Sequence, residues 1–386
     1  MADDDRTARI DGGERPAPAR FELGLLERPI IGAPMAGGPS TPALAAAVSR
    51  AGGLGMLAAG YLKPDAFAAQ LERAAELAEG RPLGANLFVP ARANLAEPDW
   101  EADAAARAWE VEAFAQELAE SEELPDAMFG PRPIERDELG EVDALDDDGW
   151  DGKLATVEAR AAAGRPLALV SFTFGCPSRE VLDRVKAAGA LAAVTVTDEL
   201  EALRARSQGA EALVVQGAEA GGHRGTHRLA KRPNEASTLE LLARIAPIAG
   251  DAAIIAAGGI ARRRDARAAL DAGADAVQLG TSLLLADEAG TNAVHRAALA
   301  DEAFTETATT RAYSGRVARS LVTAYMERHP EAPAAYPELN QLTGPLKAAA
   351  REAGDPQRLH LWAGEGFRRA RAESAAQIVE RMDPRR

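Results

Sequence analysis

Short apolar runs recur along this sequence, and most are followed by a stretch whose apolar residues repeat at helical spacing. Residues 28–38 read as a short strand ending in a loop. Thr41 then caps a helix with Pro42 at its first position, and Gly52-Gly53 stops it. Residues 54–59 are a second buried strand, 63–80 a second helix, and 83–89 a third strand halted by Pro90. The rhythm breaks over 91–153, where a helical pattern at 100–120 and acidic segments such as Asp146-Asp147-Asp148 read as an insertion or lid. It resumes with strands at 167–174, 191–196, 212–215, 253–257 and 276–279. Helices lie between them, with Ser178 and Asp198 as caps, and a further helical run follows the last strand.

Eight apolar strands, seven with a clear helical pattern behind them, predict an α/β fold of the (β/α)8 TIM-barrel type. An open sheet would need edge strands of weaker apolar character. The expected organisation is a disordered tail at 1–20, a barrel over 21–303 with the 91–153 insertion after strand three, and a C-terminal helical extension over 304–386 packed on the barrel.

Composition narrows the partners. The net charge of −15 argues against nucleic acid and anionic membrane surfaces, and aromatics at 4% argue against base-stacking platforms. No apolar run reaches membrane-spanning length, and no secretory h-region is present. A single cysteine, Cys176, rules out an intramolecular disulfide and suits a cytoplasmic setting. It reads as a small hydrophobe rather than a nucleophile, since no base is adjacent in sequence. A metal site is not expected. His223 and His227 are four apart, but Gly225 between them argues against a helix presenting both.

Chemistry concentrates in residues 212–225. An apolar strand there breaks into a loop with Gly217, Gly221, Gly222 and Gly225 around one imidazole, His223. A titratable group on a glycine-rich loop past a strand end is where a barrel carries its active site. Arg224 beside it reads equally well as an aid to an anionic substrate or as a solvated loop charge. Two more loops complete the picture. Gly258-Gly259 follows strand seven and Gly280-Thr281-Ser282 follows strand eight, the places where barrels bind a phosphate through backbone N–H groups. No dinucleotide fingerprint sits between a strand and a helix, so one phosphate, from a mononucleotide or a sugar phosphate, is expected.

These motifs resemble the nitronate monooxygenases. The matching stretches are 32–37, Asn86-Leu87-Phe88, 171–177, 216–225, 257–260, 277–281, Tyr313-Ser314-Gly315-Arg316, Tyr336-Pro337 with Asn340, and Leu361-Trp362-Ala363-Gly364. The barrel loops alone are shared with FMN-dependent, NAD(P)H-using enoyl-thioester reductases; the C-terminal stretches favour the nitronate family, its class I branch. The resemblance implies FMN as cofactor and oxidation of alkyl nitronates, propionate 3-nitronate foremost, by O2. One-electron transfer to the flavin would lead to a carbonyl compound and nitrite. It places Ala33, Met35 and Asn86 near the flavin ring, Gln216 at its polar edge, Gly221 and Gly222 against the cofactor, and Gln278 beneath it. Gly258, Gly259, Gly280 and Thr281 would hold the phosphate. His223 would be the catalytic base toward neutral nitroalkanes, and Tyr336 and Ser314 would contact substrate. Glu365 departs from the family pattern, which has a glutamine there, and bears on the polarity of the pocket rim. The alternatives are the enoyl-thioester reductase and a non-catalytic FMN-binding protein. Self-association is compatible with the sequence.

Overall fold

The computed structural model describes residues 22–124 and 132–386. The expected tail at 1–20 lies outside the described residues. Eight parallel strands form one sheet: β1 Ile30–Gly32, β2 Gly55–Ala58, β3 Leu83–Phe88, β4 Leu169–Thr173, β5 Leu191–Val196, β6 Ala212–Gln216, β7 Ala253–Ala257 and β8 Ala276–Leu279. β1 pairs with β8 through Ile30↔Val277, and the parallel bridge Ile31↔Leu54 joins β1 to the start of β2, so the sheet closes into the expected (β/α)8 barrel.

Side-chain alternation explains both the barrel's stability and its function. Outward positions such as Leu57, Leu87, Val170, Phe172, Val194, Val215 and Ile254 pack on the helices. Inward positions low in the barrel are apolar: Ile31, Met56, Leu169, Ala193, Ala212, Val214, Ile255 and Ala276. Leu23 and Leu26 join this inner cluster beside a short 3-10 helix, Leu23–Leu25. Two residues further along the same strands, the inward positions become Asn86, Ser171, Thr173, Thr195, Gln216 and Gln278, and all of these line the cavity at the top.

The helices start where their caps require. Thr41 accepts from the Leu44 N–H at 3.0 Å at the head of α1 (Pro42–Arg50). Ser178 and Asp198 do the same for α5 (Arg179–Ala187) and α6 (Glu199–Gln208). α2 (Pro64–Ala78) fills the second crossover. The third crossover also carries a barrel helix, α4 (Trp150–Ala162), because Trp150, Leu154 and Val157 face the core, so the irregular part ends before it. α7 (Thr238–Ile245) and α8 (Arg263–Asp271) continue the ring.

The eighth place in that ring is not taken by the helix next in sequence, α9 (Ala293–Ala300). It is taken by α10 (Ala375–Met382), which packs against α1 and α8 and sends Ala375, Ile378, Val379 and Met382 into the barrel core. The segment after 303 therefore completes the barrel as well as lying on it. It also contains two antiparallel strands besides its helices, β9 (Thr307–Thr310) and β10 (Ala318–Leu321).

The insertion and the C-terminal segment share a second hydrophobic cluster. Val111, Phe114, Ala115 and Leu118 of α3 (Trp100–Ser121) pack with Tyr313, Tyr325, Leu339, Leu342 and Leu346. Beneath it, Glu122 is buried and accepts from Arg328 at 2.6 Å, Arg358 at 3.1 Å and His329 at 3.1 Å, which ties the end of α3 to the C-terminal segment.

Candidate active site

The cavity at the C-terminal end of the barrel measures about 330 Å3. Ala33, Met35, Asn86, Gln216, Gly221, Gly222, His223, Gly258, Gly259, Gln278, Gly280 and Thr281 all line it, so twelve of the expected positions converge on one space. Ser314 stands behind His223, and Tyr336 lines an adjoining side cavity.

Gly222–His223 is a two-residue strand that pairs with β10 through Ala318↔His223 and Arg319↔Gly222. Gln216 fixes the loop from within. Its side-chain oxygen accepts from the Gly225 N–H at 2.8 Å, and its amide nitrogen donates to the His223 carbonyl at 3.0 Å. One amide N–H of Gln216 is left for a ligand. A Cβ at Gly221 would lie 2.4 Å from the backbone nitrogen of Gly364, so only glycine lets this loop approach the 363–364 backbone.

The His223 ring is caged. Phe174 lies 5.5 Å away between centroids, Trp362 5.2 Å and Tyr336 6.3 Å, and Nε2 is 2.8 Å from the Ser314 hydroxyl. Burial in this cage, with the nearby charges of Arg316 and Lys347, pushes the imidazole down to about 3. Lys347 is itself buried, pairs with no carboxylate among the described residues, and is pushed down to about 7 by desolvation. It donates to the Tyr313 carbonyl at 3.1 Å and to Asn340 at 3.0 Å.

On the opposite wall, Gly258 and Gly259 adopt φ of 105° and 68°, conformations that favour glycine. Thr281 begins a 3-10 helix, Thr281–Leu283. Among the described residues, the backbone N–H groups of Gly259, Ile260, Thr281 and Ser282 meet no protein acceptor, and all four residues line the cavity. Unspent N–H groups on facing loops form a cradle for an anion. The Thr281 hydroxyl accepts from the Gly364 N–H at 2.9 Å and keeps its own proton for a ligand. A flavin phosphate fits this donor set.

The structure places four further residues that the sequence singled out. Arg224 is neither solvated nor on the cavity wall: it is 2% exposed and donates to the Gln216 and Gly217 carbonyls at 2.7 and 2.5 Å. Cys176 is fully buried, and desolvation pushes its thiol up to about 12, as a packing residue requires. His227 is buried, with Nε2 2.9 Å from the Thr195 carbonyl. The Glu365 carboxylate pairs with Arg319 at 3.2 Å, so the rim gains an ion pair rather than a free negative charge.

Sequence reasoning missed Ser171, Thr173 and Thr195. The Asn86 amide nitrogen donates to the Ser171 hydroxyl at 2.9 Å and the Thr173 hydroxyl at 3.0 Å, and Thr173 meets Thr195 at 3.1 Å. Their signal was the period-two register Leu169, Ser171, Thr173.

Comparison with known proteins gives the family. The nitronate monooxygenase family model matches residues 21–384. The nitronate monooxygenase of Pseudomonas aeruginosa PAO1 is 36% identical over 361 residues, 92% of this chain and 95% of that one. A probable nitronate monooxygenase of Bacillus subtilis 168 is 31% identical over 364 residues, with the same two shares covered. The solved nitroalkane oxidase of Streptomyces ansochromogenes superposes with a TM-score of 0.80 at 42% identity, covering 94% of this chain and 97% of that one. FabK from Thermotoga maritima, 24% identical with a TM-score of 0.64 over 94% of each chain, shares the fold. The chain is an oxidoreductase that belongs to the nitronate monooxygenase family.

Proposed function

We propose that this protein oxidises alkyl nitronates with O2 to a carbonyl compound and nitrite, using FMN held in the barrel mouth. The observation that carries the reading is the set of unspent N–H groups at Gly259, Ile260, Thr281 and Ser282, facing the same cavity as His223. Those groups would hold the phosphate. Gly280 would stand beside the phosphate, and Ala33, Met35, Gly221 and Gly222 would line the ring's surroundings, with Asn86, Gln216 and Gln278 as its polar neighbours. When bound, FMN supplies the one-electron acceptor that starts the reaction of the nitronate with oxygen.

The chain's own residues bind, orient and exclude water. Phe174, Tyr336 and Trp362 wall the space beside His223 against bulk solvent. His223 is neutral at pH 7 and shares a hydrogen bond with Ser314, so it can position a nitronate oxygen or take a proton. At about 3 the imidazole is roughly three orders of magnitude weaker as a base than a free histidine. The site therefore suits a substrate that arrives ionised better than a neutral nitroalkane. Propionate 3-nitronate is one such substrate.

The test is direct. The purified protein is expected to be yellow and to release FMN on heating, identified by chromatography. Adding an alkyl nitronate in air should consume oxygen and produce nitrite. Absence of flavin from a folded preparation overturns the reading, as does rapid bleaching by NADH or NADPH with no nitronate turnover.

A further inference from the structure

Behind the wall that holds His223 a lysine is buried with no acid beside it. Lys347 belongs to the helix Gly344–Glu352 and lines neither cavity. Its three N–H donors are all spent on neutral oxygens: the Tyr313 carbonyl at 3.1 Å, the Asn340 carbonyl at 3.0 Å and the Asn340 side-chain oxygen at 3.0 Å. Taking an ammonium out of water is costly, and packing alone would be served as well by an apolar side chain of similar length. The use of the charge therefore lies in what those three oxygens belong to.

The Tyr313 carbonyl shares a peptide plane with the Ser314 N–H, and that plane is held at both edges. The Ser314 N–H donates to the Arg311 carbonyl at 3.1 Å. The Tyr313 oxygen accepts from Lys347 and from the Thr343 hydroxyl at 2.7 Å. Thr343 has one proton and a second carbonyl in reach, that of Leu339 at 2.8 Å, so the ammonium is the donor that the Tyr313 oxygen does not share. The turn cannot relax past Gly315 either, where a Cβ would lie 1.9 Å from the Ala335 carbonyl oxygen. Fixing this plane fixes the Ser314 hydroxyl, which stands 2.8 Å from Nε2 of His223. No other side chain hydrogen-bonds the imidazole among the described residues.

The charge reaches further than the hydrogen bond. With burial and Arg316, Lys347 pushes His223 down, and it does the same to His360. The ionisable groups that share its field are Arg351 on its own helix, His223 on the loop after β6 and His360 before Trp362, each a cation or a neutral base.

We propose that Lys347 is a positioning residue for the nitronate reaction: its ammonium clamps the Tyr313–Ser314 peptide and, through the Ser314 hydroxyl, keeps His223 a neutral, oriented partner for the anionic substrate. The assignment rests on the nitronate reading of the main cavity. It carries a pH dependence. Desolvation brings Lys347 down to about 7, so its proton leaves within the ordinary working range. Below that pH the clamp is charge-assisted. Above it an uncharged amine has two N–H donors for three oxygens, and the positive field at His223 is gone.

The experiment measures kcat/KM for one freshly prepared alkyl nitronate from pH 6 to 9 in flavin-replete wild type, Lys347→Arg and Lys347→Met. The substrate's own ionisation cancels in the ratio of variant to wild type at each pH. Wild type should fall on the order of 10- to 100-fold as pH rises through about 7, the worth of a hydrogen bond to a charged group. Lys347→Arg, charged throughout, should stay active and lose that fall. Lys347→Met should be low at every pH. A second readout needs no turnover. Nitrogen spectra of histidine-labelled protein at pH 8 should show the His223 Nε2 signal of Lys347→Met moved toward that of Ser314→Ala. A fall with pH that persists in Lys347→Arg overturns the proposal, as does a wild type with no fall, and these hold even where Lys347→Met does not fold. A His223 signal unmoved in a folded Lys347→Met overturns it too. A wild type that oxidises no nitronate overturns the function instead, and the nitrogen spectra still decide whether Lys347 positions His223.

Discussion

Lowering the pH from 7 to 5 should destabilise the cofactor-free protein through the half-buried His223 and the buried His295. Desolvation holds His223 at about 3 and His295 at about 4, both below the ordinary 6.5. The unfolded chain takes up a proton on each near 6.5, and the fold refuses it until the pH is far lower. The unfolded state thus binds more protons across this window, so stability falls as pH falls. Each group contributes a loss of about 2 kcal/mol between pH 7 and 5. Asp148 opposes them: burial raises it to about 6, so it gains its proton in the fold before the unfolded chain does. That returns about 1 kcal/mol over the same range. The net loss from these three groups is about 2 to 3 kcal/mol. His227 and His360, both pushed down by burial, add in the same direction. Urea denaturation of the apo-protein at the two pH values measures the drop. The control is His295→Asn, whose own drop should be smaller by about 2 kcal/mol whatever its stability at pH 7. An identical drop in wild type and variant, or none in wild type, would refute the reasoning.

Two further outcomes are expected. Gly259→Asp places a side chain at φ 68° with its Cβ 3.1 Å from the Glu219 carboxylate and its charge in the cradle. Repulsion of about 3 kcal/mol per phosphate charge at roughly 5 Å should weaken FMN binding on the order of 100-fold or more. Fluorescence titration set against apo-protein circular dichroism reads this, and full flavin occupancy would count against the cradle. His223→Asn should lower neutral nitroalkane oxidation, where wild type shows any, on the order of 100- to 10,000-fold and retain much of nitronate oxidation. The check is kcat/KM on both substrate forms at fixed pH; equal losses would make His223 a positioning residue and not a base.

The barrel was legible because each strand is a short apolar run with turn residues at its ends, and because Thr41, Ser178 and Asp198 mark helix starts that local chemistry alone enforces. The two loops of the proposed phosphate cradle were legible as loops for the same local reason, since Gly258-Gly259 and Gly280-Thr281 follow countable strands. Long-range partnerships were hidden. Ala375, Ile378, Val379 and Met382 form an amphipathic helix that any periodicity scan finds, but nothing local says that its partner is the gap between α8 and α1. Thr307-Ala308-Thr309-Thr310 reads as polar, and it becomes a strand because Ala318–Leu321 supplies the ladder. The caging of His223 was equally unreadable. Phe174, Tyr336 and Trp362 come from three distant parts of the chain, and desolvation at this spot, with the charges of Arg316 and Lys347 nearby, pushes the imidazole down to about 3.

That origin of the cage divides the site into a floor and a roof. The floor of the site is made by inward-facing strand ends, Asn86, Thr195, Gln216 and Gln278, and by the β7 and β8 loops. Its roof is made by segments outside the repeat. Trp362 is held by its bridge to Ser320, and Ser314 lies in the turn between β9 and β10. The His223 backbone itself is laddered to Ala318. Tyr313, one residue from Ser314, packs on α3's cluster and accepts from Lys347 and Thr343 through its carbonyl. The insertion and the imidazole are thus linked by contacts through Tyr313 and Ser314 that do not involve the floor. Tyr336, Trp362 and Arg316 belong to that roof, which no barrel strand contributes.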